Sequence, residues 1–297
     1  DHSDSISQRD SGWIQIFAET NQEALDLHIQ AFKLAEELSL PVMVCMDGFI
    51  LTHAYERVDM PTQEQVDAFL PPYEPRQVLD TDAPVSIGAM VGPEAFTEVR
   101  YLAHVKQMQA LDLIPKLAGE FKTVFGRDSG GLVRSYRTDD AETIVVAMGS
   151  VLGTIKDTID EMRDAGVRIG VLGVISFRPF PLEAVRAALK NAKRVVVLEK
   201  TFAVGIGGIL ATDVRTALAG IQHASYTVVA GLGGRPILKK SLHEMLDKAG
   251  RDELSGLTFL DLDWKVVNKE LERERQKRRS GPIAENILRD VNNVAAH

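Results

Sequence analysis

Only one cysteine, Cys45, occurs in 297 residues. A single thiol excludes a disulfide within the chain. It also excludes an iron–sulfur cluster or a Cys-rich zinc site held by this chain alone. An excess of basic charge is missing too: 34 Lys and Arg stand against 42 Asp and Glu, a net charge of −8. Nucleic-acid binders draw their affinity from Lys and Arg on phosphates, so this balance argues against that class. No apolar run approaches the length that crosses a membrane, and no signal-peptide pattern is present. A soluble, cytoplasmic protein is expected. The seven histidines are scattered, and the His-Glu-x-x-His signature of zinc hydrolases is absent. So are the Gly-x-Ser-x-Gly elbow of serine hydrolases and the phosphate-loop signature.

What is present is enough apolar material for a core, at 45% of residues, in one large domain or two. Residues 22–38 have the spacing of a helix, with Ala24, His28, Ala31, Phe32 and Ala35 on its apolar side and Asn21 as N-cap. On that side His28 reads as a satisfied core residue. Val42–Met46 is a short unbroken apolar run after Pro41, the pattern of a strand buried on both faces. Cys45 lies inside it and reads as inert, because apolar burial raises a thiol pKa. The run ends in Asp47-Gly48-Phe49, where α/β folds place their sites. Between 56 and 97 six prolines break any long element, which predicts an excursion along the surface or over a partner. Residues 94–125 return to helix, with Pro115 expected to kink or interrupt it.

From Thr143 onward strands alternate with single helices: strands at 143–148, 167–174, 194–198 and 226–229, helices at 151–165, 182–191, 208–218 and 238–248. That rhythm predicts an α/β fold with a doubly wound, mostly parallel sheet. Residues 269–279 form a mixed-charge run, read as a solvated helix face, stopped by Ser280-Gly281-Pro282. Residues 284–291 form a last amphipathic segment that could dock on a partner.

Three glycine-rich turns follow strands. Val204-Gly205-Ile206-Gly207-Gly208 opens a helix, so Gly205, Gly207 and Gly208 are weak candidates for holding an anion on backbone N–H groups. Gly231-Leu232-Gly233-Gly234 has the same shape, and Gly149-Ser150 is a weaker case. None completes the dinucleotide fingerprint, and glycines also serve tight turns and close helix packing. A nucleotide- or flavin-binding module therefore stands as one reading. Arg9, in Ser7-Gln8-Arg9-Asp10-Ser11-Gly12-Trp13, offers a planar fork that matches a carboxylate. The competing reading pairs it with Asp4 or Asp10 at the surface.

The ordered set of segments narrows this. Asp1-His2-Ser3-Asp4, the Arg9 segment, Asn21–Asp26, Pro41–Val44 and Asp47–His53 occur in one order, followed by Val145–Ser150, Phe177-Arg178-Pro179-Phe180-Pro181 and Gly231–Arg235. Together they resemble the alpha subunit of 2-oxoacid:ferredoxin oxidoreductases, the pyruvate synthase type. The resemblance implies a partial pyrimidine-type thiamine-enzyme domain over 1–134 and a transketolase-C-like domain over 135–270, with a charged helical tail over 271–297. It implies oxidative decarboxylation of a 2-oxoacid, pyruvate first, to acyl-CoA and CO2. The cofactors implied are thiamine diphosphate with Mg, mostly on a partner subunit, and coenzyme A as co-substrate. Iron–sulfur clusters on other subunits would pass electrons to ferredoxin or another carrier. The partners implied are beta, gamma and cluster-bearing delta subunits. By the same resemblance Arg9 binds the substrate carboxylate. A 2-oxoglutarate, branched or aryl 2-oxoacid, or oxalate, would present the same group. The family's Tyr-Pro-Ile-Thr-Pro-type segment and the Glu that activates the thiamine aminopyrimidine precede the Asp-His-Ser-Asp loop. This sequence therefore is not expected to bind thiamine diphosphate alone.

Overall fold

The structure is a computed structural model describing residues 1–84, 86–88, 90–276 and 283–295. It divides into two compact units, Asp1–Thr258 and Phe259–His297. In chain order the elements are α1 (Ser3–Ser7), β1 (Ile14–Phe17), α2 (Asn21–Leu38), β2 (Val42–Cys45), α3 (Gln63–Phe69), α4 (Phe96–Phe125) and β3 (Val133–Tyr136). There follow β4 (Thr143–Ala147), α5 (Val151–Asp164), β5 (Ile169–Val174), β6 (Ser176–Arg178), α6 (Leu182–Leu189) and β7 (Arg194–Glu199). The rest are α7 (Leu210–Ala217), β8 (Ala224–Val229), α8 (Lys239–Gly250), β9 (Leu257–Phe259), α9 (Trp264–Arg275) and α10 (Ile283–Ala295).

Two sheets organise the first unit. The larger has strand order β3-β5-β4-β7-β8-β9. Strands β5, β4, β7 and β8 run parallel, and β3 is antiparallel at one edge. The parallel, doubly wound expectation therefore holds. Its strands read as continuous apolar runs because helices cover both faces. Val145, Val146, Val171, Leu172, Val195 and Val196 are all fully buried, each stabilising by about 1.5–3 kcal/mol relative to exposure. The chain starts at β4, winds outward to β5, then returns past β4 to β7 and β8. The winding direction thus reverses between β4 and β7, where α/β folds open a crevice at their strand ends.

The smaller sheet has order β2-β1-β6. Strand β1 pairs parallel with β2 and antiparallel with β6. Here β2 corrects the sequence reading: it is an edge strand, with Val42, Met43 and Val44 only half-buried and Cys45 alone buried. The physical reason is the sheet's width, since β2 pairs on one side only among the described residues.

Helix α2 corrects two further expectations. Its N-cap is Thr20, whose hydroxyl accepts from the Glu23 N–H at 3.1 Å. Its buried stripe is Ala24, Leu27, Ala31, Leu34 and Leu38, packed on Ile14 and Ile16. His28 and Phe32 face outward, and the His28 ring is satisfied by the Ala24 carbonyl at 2.6 Å. Helix α4 runs 30 residues without interruption through Pro115. An interior proline costs about 3 kcal/mol. Burial of Ala110, Ile114 and Leu117 against α2, and of Phe121 and Phe125 against Phe69, offsets that cost.

The proline-rich excursion is anchored by α3. A capping box joins Thr62 and Gln65 at its start, and Phe69 packs edge-on to Phe121 at 5.6 Å. Otherwise it lies largely at the surface, with Tyr55, Met60, Leu79 and Met90 exposed. In the second unit Asp263 caps α9, accepting from the Lys265 and Val266 N–H groups at 2.9 and 3.2 Å. Asp290 of α10 accepts from Lys269 and Arg273 of α9 at 2.7 and 2.9 Å. The expected stop at Ser280-Gly281-Pro282 lies outside the described residues.

Candidate functional site

Arg9 sits on the loop between α1 and β1. Backbone bonds from Gln8 to Ser5 and from Arg9 to Ile6, at 3.0 and 3.1 Å, close the end of α1 and set the loop's path. The Arg9 guanidinium donates to the Ile6 carbonyl at 3.4 Å and approaches the Asp10 carboxylate only to 3.7 Å. Such an exposed pair is worth about 0–1 kcal/mol. Among the described residues the Arg9 guanidinium thus makes only these two long contacts. It lines a cleft of about 500 Å³ together with Trp13, Arg100, His104, Arg178 and Phe180. Arg178 is committed to Asp213 at 2.8 Å and lies over the Phe177 ring. Gln107 donates from Nε2 to the Gly12 carbonyl at 2.7 Å, while its buried Oε1 has no hydrogen-bond partner among the described residues. Gly12, at φ +102°, lets the chain turn under the cleft. The arrangement suits a small anion with an apolar body: arginine donors at one side, Trp13 and Phe180 as wall.

A second constellation lies at the crevice between β4 and β7. Asp47, directly after β2, is fully buried, His2 is 3% exposed and Lys200 is 5% exposed. Asp47 Oδ1 accepts from His2 Nε2 at 2.7 Å and from Lys200 Nζ at 2.5 Å. Its Oδ2 accepts from the Ser150 N–H at 2.6 Å. The His2 N–H donates to the Lys200 carbonyl at 2.8 Å, and the His2 ring packs on Phe17 at 5.0 Å. Burial pushes the Asp47 carboxyl up, but the bonds and charges of His2 and Lys200 outweigh it and hold it well below the usual carboxylate range. Burial pushes His2 down. The state that satisfies both is an Asp47 carboxylate, a Lys200 cation and a neutral His2 donating from Nε2. Gly149 is required here: a Cβ at that position would sit 2.6 Å from Asp47 Oδ2.

The three glycine-rich turns share one feature that the sequence did not disclose. Each is engaged by a carboxylate of the chain itself. At 204–208 the helix N–H groups of Ile209, Leu210 and Ala211 donate to buried Glu199, at 2.7, 3.0 and 3.2 Å. Gly208 is needed because a Cβ there would overlap Glu199 Oε1. Gly205 and Gly207 carry the turn at positive φ. At 231–234 the Gly233 N–H donates to Asp1 Oδ2 at 2.8 Å. At 149–150 the anion is Asp47. At 204–208 the backbone N–H groups that meet a carboxylate belong to Ile209, Leu210 and Ala211, not to Gly205, Gly207 or Gly208. Burial pushes Glu199 up against the three N–H bonds that pull it down.

The structure brings Arg9 together with Arg100, His104 and Arg178, and it does not bring the 205–208 turn to that cleft. Sequence reasoning missed Lys200, Glu199 and Arg100. A charged pair, Glu199-Lys200, closing an otherwise apolar strand is the signal that marks the first two. Arg100 carries no comparable signal. Cys45 is buried and pushed by that burial up to about 12, which fits its inert reading. Among the described residues no group of three or more His, Cys, Asp or Glu is arranged to hold a metal ion. Each of the three turns is thus taken by a carboxylate of the chain rather than open to a diphosphate, whereas the Arg9 guanidinium lines the cleft.

This fold and site define a class. The family model described as "Pyruvate flavodoxin/ferredoxin oxidoreductase, thiamine diP-bdg" matches residues 1–118. The model described as "Pyruvate:ferredoxin oxidoreductase core domain II" matches residues 141–242. The chain belongs to the family of 2-oxoacid:ferredoxin oxidoreductase alpha subunits. Among its relatives, pyruvate synthase subunit PorA of Methanocaldococcus jannaschii is 46% identical, over 88% of this chain and 68% of that protein. The same subunit from Methanosarcina barkeri is 44% identical, over 88% and 67%. Ketoisovalerate oxidoreductase subunit VorA of Pyrococcus horikoshii is 36% identical, over 89% and 68%. In fold the chain is similar to the 2-oxoglutarate:ferredoxin oxidoreductase of Magnetococcus marinus, with a TM-score of 0.55 at 15% identity, covering 80% of this chain and 42% of that one. The chain thus spans about two thirds of the curated relatives and less than half of the solved chain. No helix among the described residues is long and apolar enough to cross a membrane.

Proposed function

We propose that this chain is the carboxylate-anchoring part of a cytoplasmic, thiamine-diphosphate-dependent enzyme that oxidatively decarboxylates a 2-oxoacid. The reaction is 2-oxoacid anion plus coenzyme A to acyl-CoA, CO2, one proton and two electrons. The electrons pass through iron–sulfur clusters on other subunits to ferredoxin or another carrier. Pyruvate is the first candidate, supported by relatives named pyruvate synthase at 44–46% identity against 36% for the ketoisovalerate subunit.

The observation that carries this reading is Arg9, placed at the cleft with no strong partner of its own among the described residues. A guanidinium there holds the substrate carboxylate and orients the keto carbon. Orientation of that kind removes several kcal/mol of barrier, up to about 7–11 in favourable cases. The cleft's Trp13 and Phe180 exclude water from the apolar end of the substrate. Thiamine diphosphate and its magnesium belong, in this reading, mostly to a beta subunit, with gamma and cluster-bearing delta subunits completing the assembly. The division into 1–134, 135–270 and 271–297 is part of the same proposal.

The test is to purify the assembled complex through this chain and assay it against a panel of 2-oxoacids with coenzyme A and an artificial acceptor. Pyruvate is expected to be turned over fastest, with acceptor reduction dependent on coenzyme A. A chain that isolates without cluster-bearing or thiamine-binding subunits, or a complex inert to every 2-oxoacid, contradicts the proposal.

A further inference from the structure

The Asp47–His2–Lys200 constellation has no role in the chemistry above, yet it occupies the place where doubly wound folds bind their ligands. The crevice at the ends of β4 and β7 supplies the Ser150 N–H and Lys200, and what fills it is Asp47 and His2 from the first part of the chain. His2 is also the residue immediately before α1. Its N–H is bonded to the Lys200 carbonyl, and the Ile6 N–H is bonded to the His2 carbonyl at 3.0 Å. One turn later the Arg9 N–H and guanidinium both bond the Ile6 carbonyl. At the far side Gln15 Nε2 of β1 donates to the Ser5 carbonyl at 2.6 Å. A continuous series of hydrogen bonds, from 2.7 Å at Asp47 to 3.4 Å at the guanidinium, therefore runs from the buried carboxylate to the substrate-anchoring arginine.

We propose that Asp47, His2 and Lys200 form a clamp that fixes α1 on the larger sheet and so sets the position of Arg9. They are positioning residues for 2-oxoacid binding. The inference rests on the reading of Arg9 as the carboxylate anchor. Helix α1 has only five residues, too few to hold a helix by itself. Without the clamp it keeps the buried Ile6 and the Gln15 bond but loses its tie to the ends of β4 and β7, and Arg9 is held less closely. Affinity for the carboxylate falls, because the arginine must be ordered at the moment of binding.

The experiment is steady-state kinetics on the assembled oxidoreductase carrying His2→Leu, His2→Gln, Arg9→Ala and the double variant His2→Leu/Arg9→Ala. Glutamine keeps an N–H near the position of His2 Nε2, and leucine keeps only bulk. His2→Leu is expected to raise KM for the 2-oxoacid about tenfold or more, with KM for coenzyme A unchanged. His2→Gln is expected to stay within about threefold of the parent. In the double variant the two losses are expected to be markedly less than additive, because both act through one arginine. Additive losses, an equal rise in both KM values, or an unchanged 2-oxoacid KM would each overturn the clamp. Should His2→Leu fail to assemble, Lys200→Gln is measured in the same way and held to the same outcomes. If Arg9→Ala itself leaves 2-oxoacid kinetics unchanged, the anchoring reading fails. If Arg9→Ala is impaired and the His2 and Lys200 variants are not, only the clamp fails.

Discussion

The two sheets of the first unit solve burial in different ways. Strands β4, β5 and β7 are buried along nearly their whole length and read as plain apolar runs. The three-stranded sheet borrows β6 from the second half of the chain and leaves β2 half-buried at its edge. The same contrast appears in their buried carboxylates. Glu199, in the larger sheet, accepts from the backbone N–H groups of Ile209, Leu210 and Ala211. Asp47, at the end of the smaller sheet, is held by a lysine and a histidine from distant parts of the sequence. The carboxylate of the larger sheet is thus satisfied locally, and that of the smaller sheet adds long-range charge pairing to the Ser150 N–H bond and to the apolar core that Phe17 and Cys45 share with the larger sheet.

Removing that pairing should give the largest effect on stability. Asp47→Ala leaves Lys200 buried without its counter-charge, and such a loss destabilises by about 3–5 kcal/mol. Urea denaturation of the chain checks it, and a change below about 1 kcal/mol would put the two regions on the same footing. Next is the contrast in packing. Leu172→Ala on fully buried β5 is expected to cost about 2–5 kcal/mol. Met43→Ala on half-buried β2 should cost clearly less. Equal midpoint shifts would erase the distinction between core and edge.

The carboxylates then predict opposite pH responses. Asp47 and His2 are both held below their ordinary values. Their stability contribution is present above the unfolded pKa. It is lost as pH falls, first below about 6.5 for His2 and then below about 4 for Asp47. Glu199 is held above its ordinary value by burial. Its contribution is present below about 4.3 and is lost as pH rises through the folded value. Unfolding midpoints followed from pH 4 to 8 should therefore steepen with acid less in His2→Gln than in the parent. Glu199→Gln should lose the opposing trend. Identical profiles for parent and variants would contradict these assignments. The smallest effect belongs to His28→Ala, within about 0.5 kcal/mol, because that side chain faces outward. A loss of 2 kcal/mol would restore it to the core.

The comparison also explains what was legible in the sequence. From Thr143 to Lys248 every element except β6 satisfies its own periodicity, so strand and helix positions could be read within a few residues. Strands β3 and β6 escaped notice because they are short and carry Arg134, Ser135, Ser176 and Arg178. Their pairing is set by tertiary contacts rather than local pattern. His28 and Phe32 were misplaced for a related reason: several residue sets on α2 have helical spacing, and only packing on β1 selects Leu27, Leu34 and Leu38. At the site, Arg9 was visible through its segment. The clamp was not, because His2, Asp47 and Lys200 are joined only by the fold.

The central claim is that Arg9 anchors the 2-oxoacid carboxylate, and Arg9→Ala in the assembled enzyme tests it most directly. A charge-assisted hydrogen bond is worth about 1.5–3 kcal/mol, so kcat/KM for the 2-oxoacid should fall about 10- to 150-fold, with KM for coenzyme A unchanged. A kcat/KM within about threefold of the parent would contradict the account.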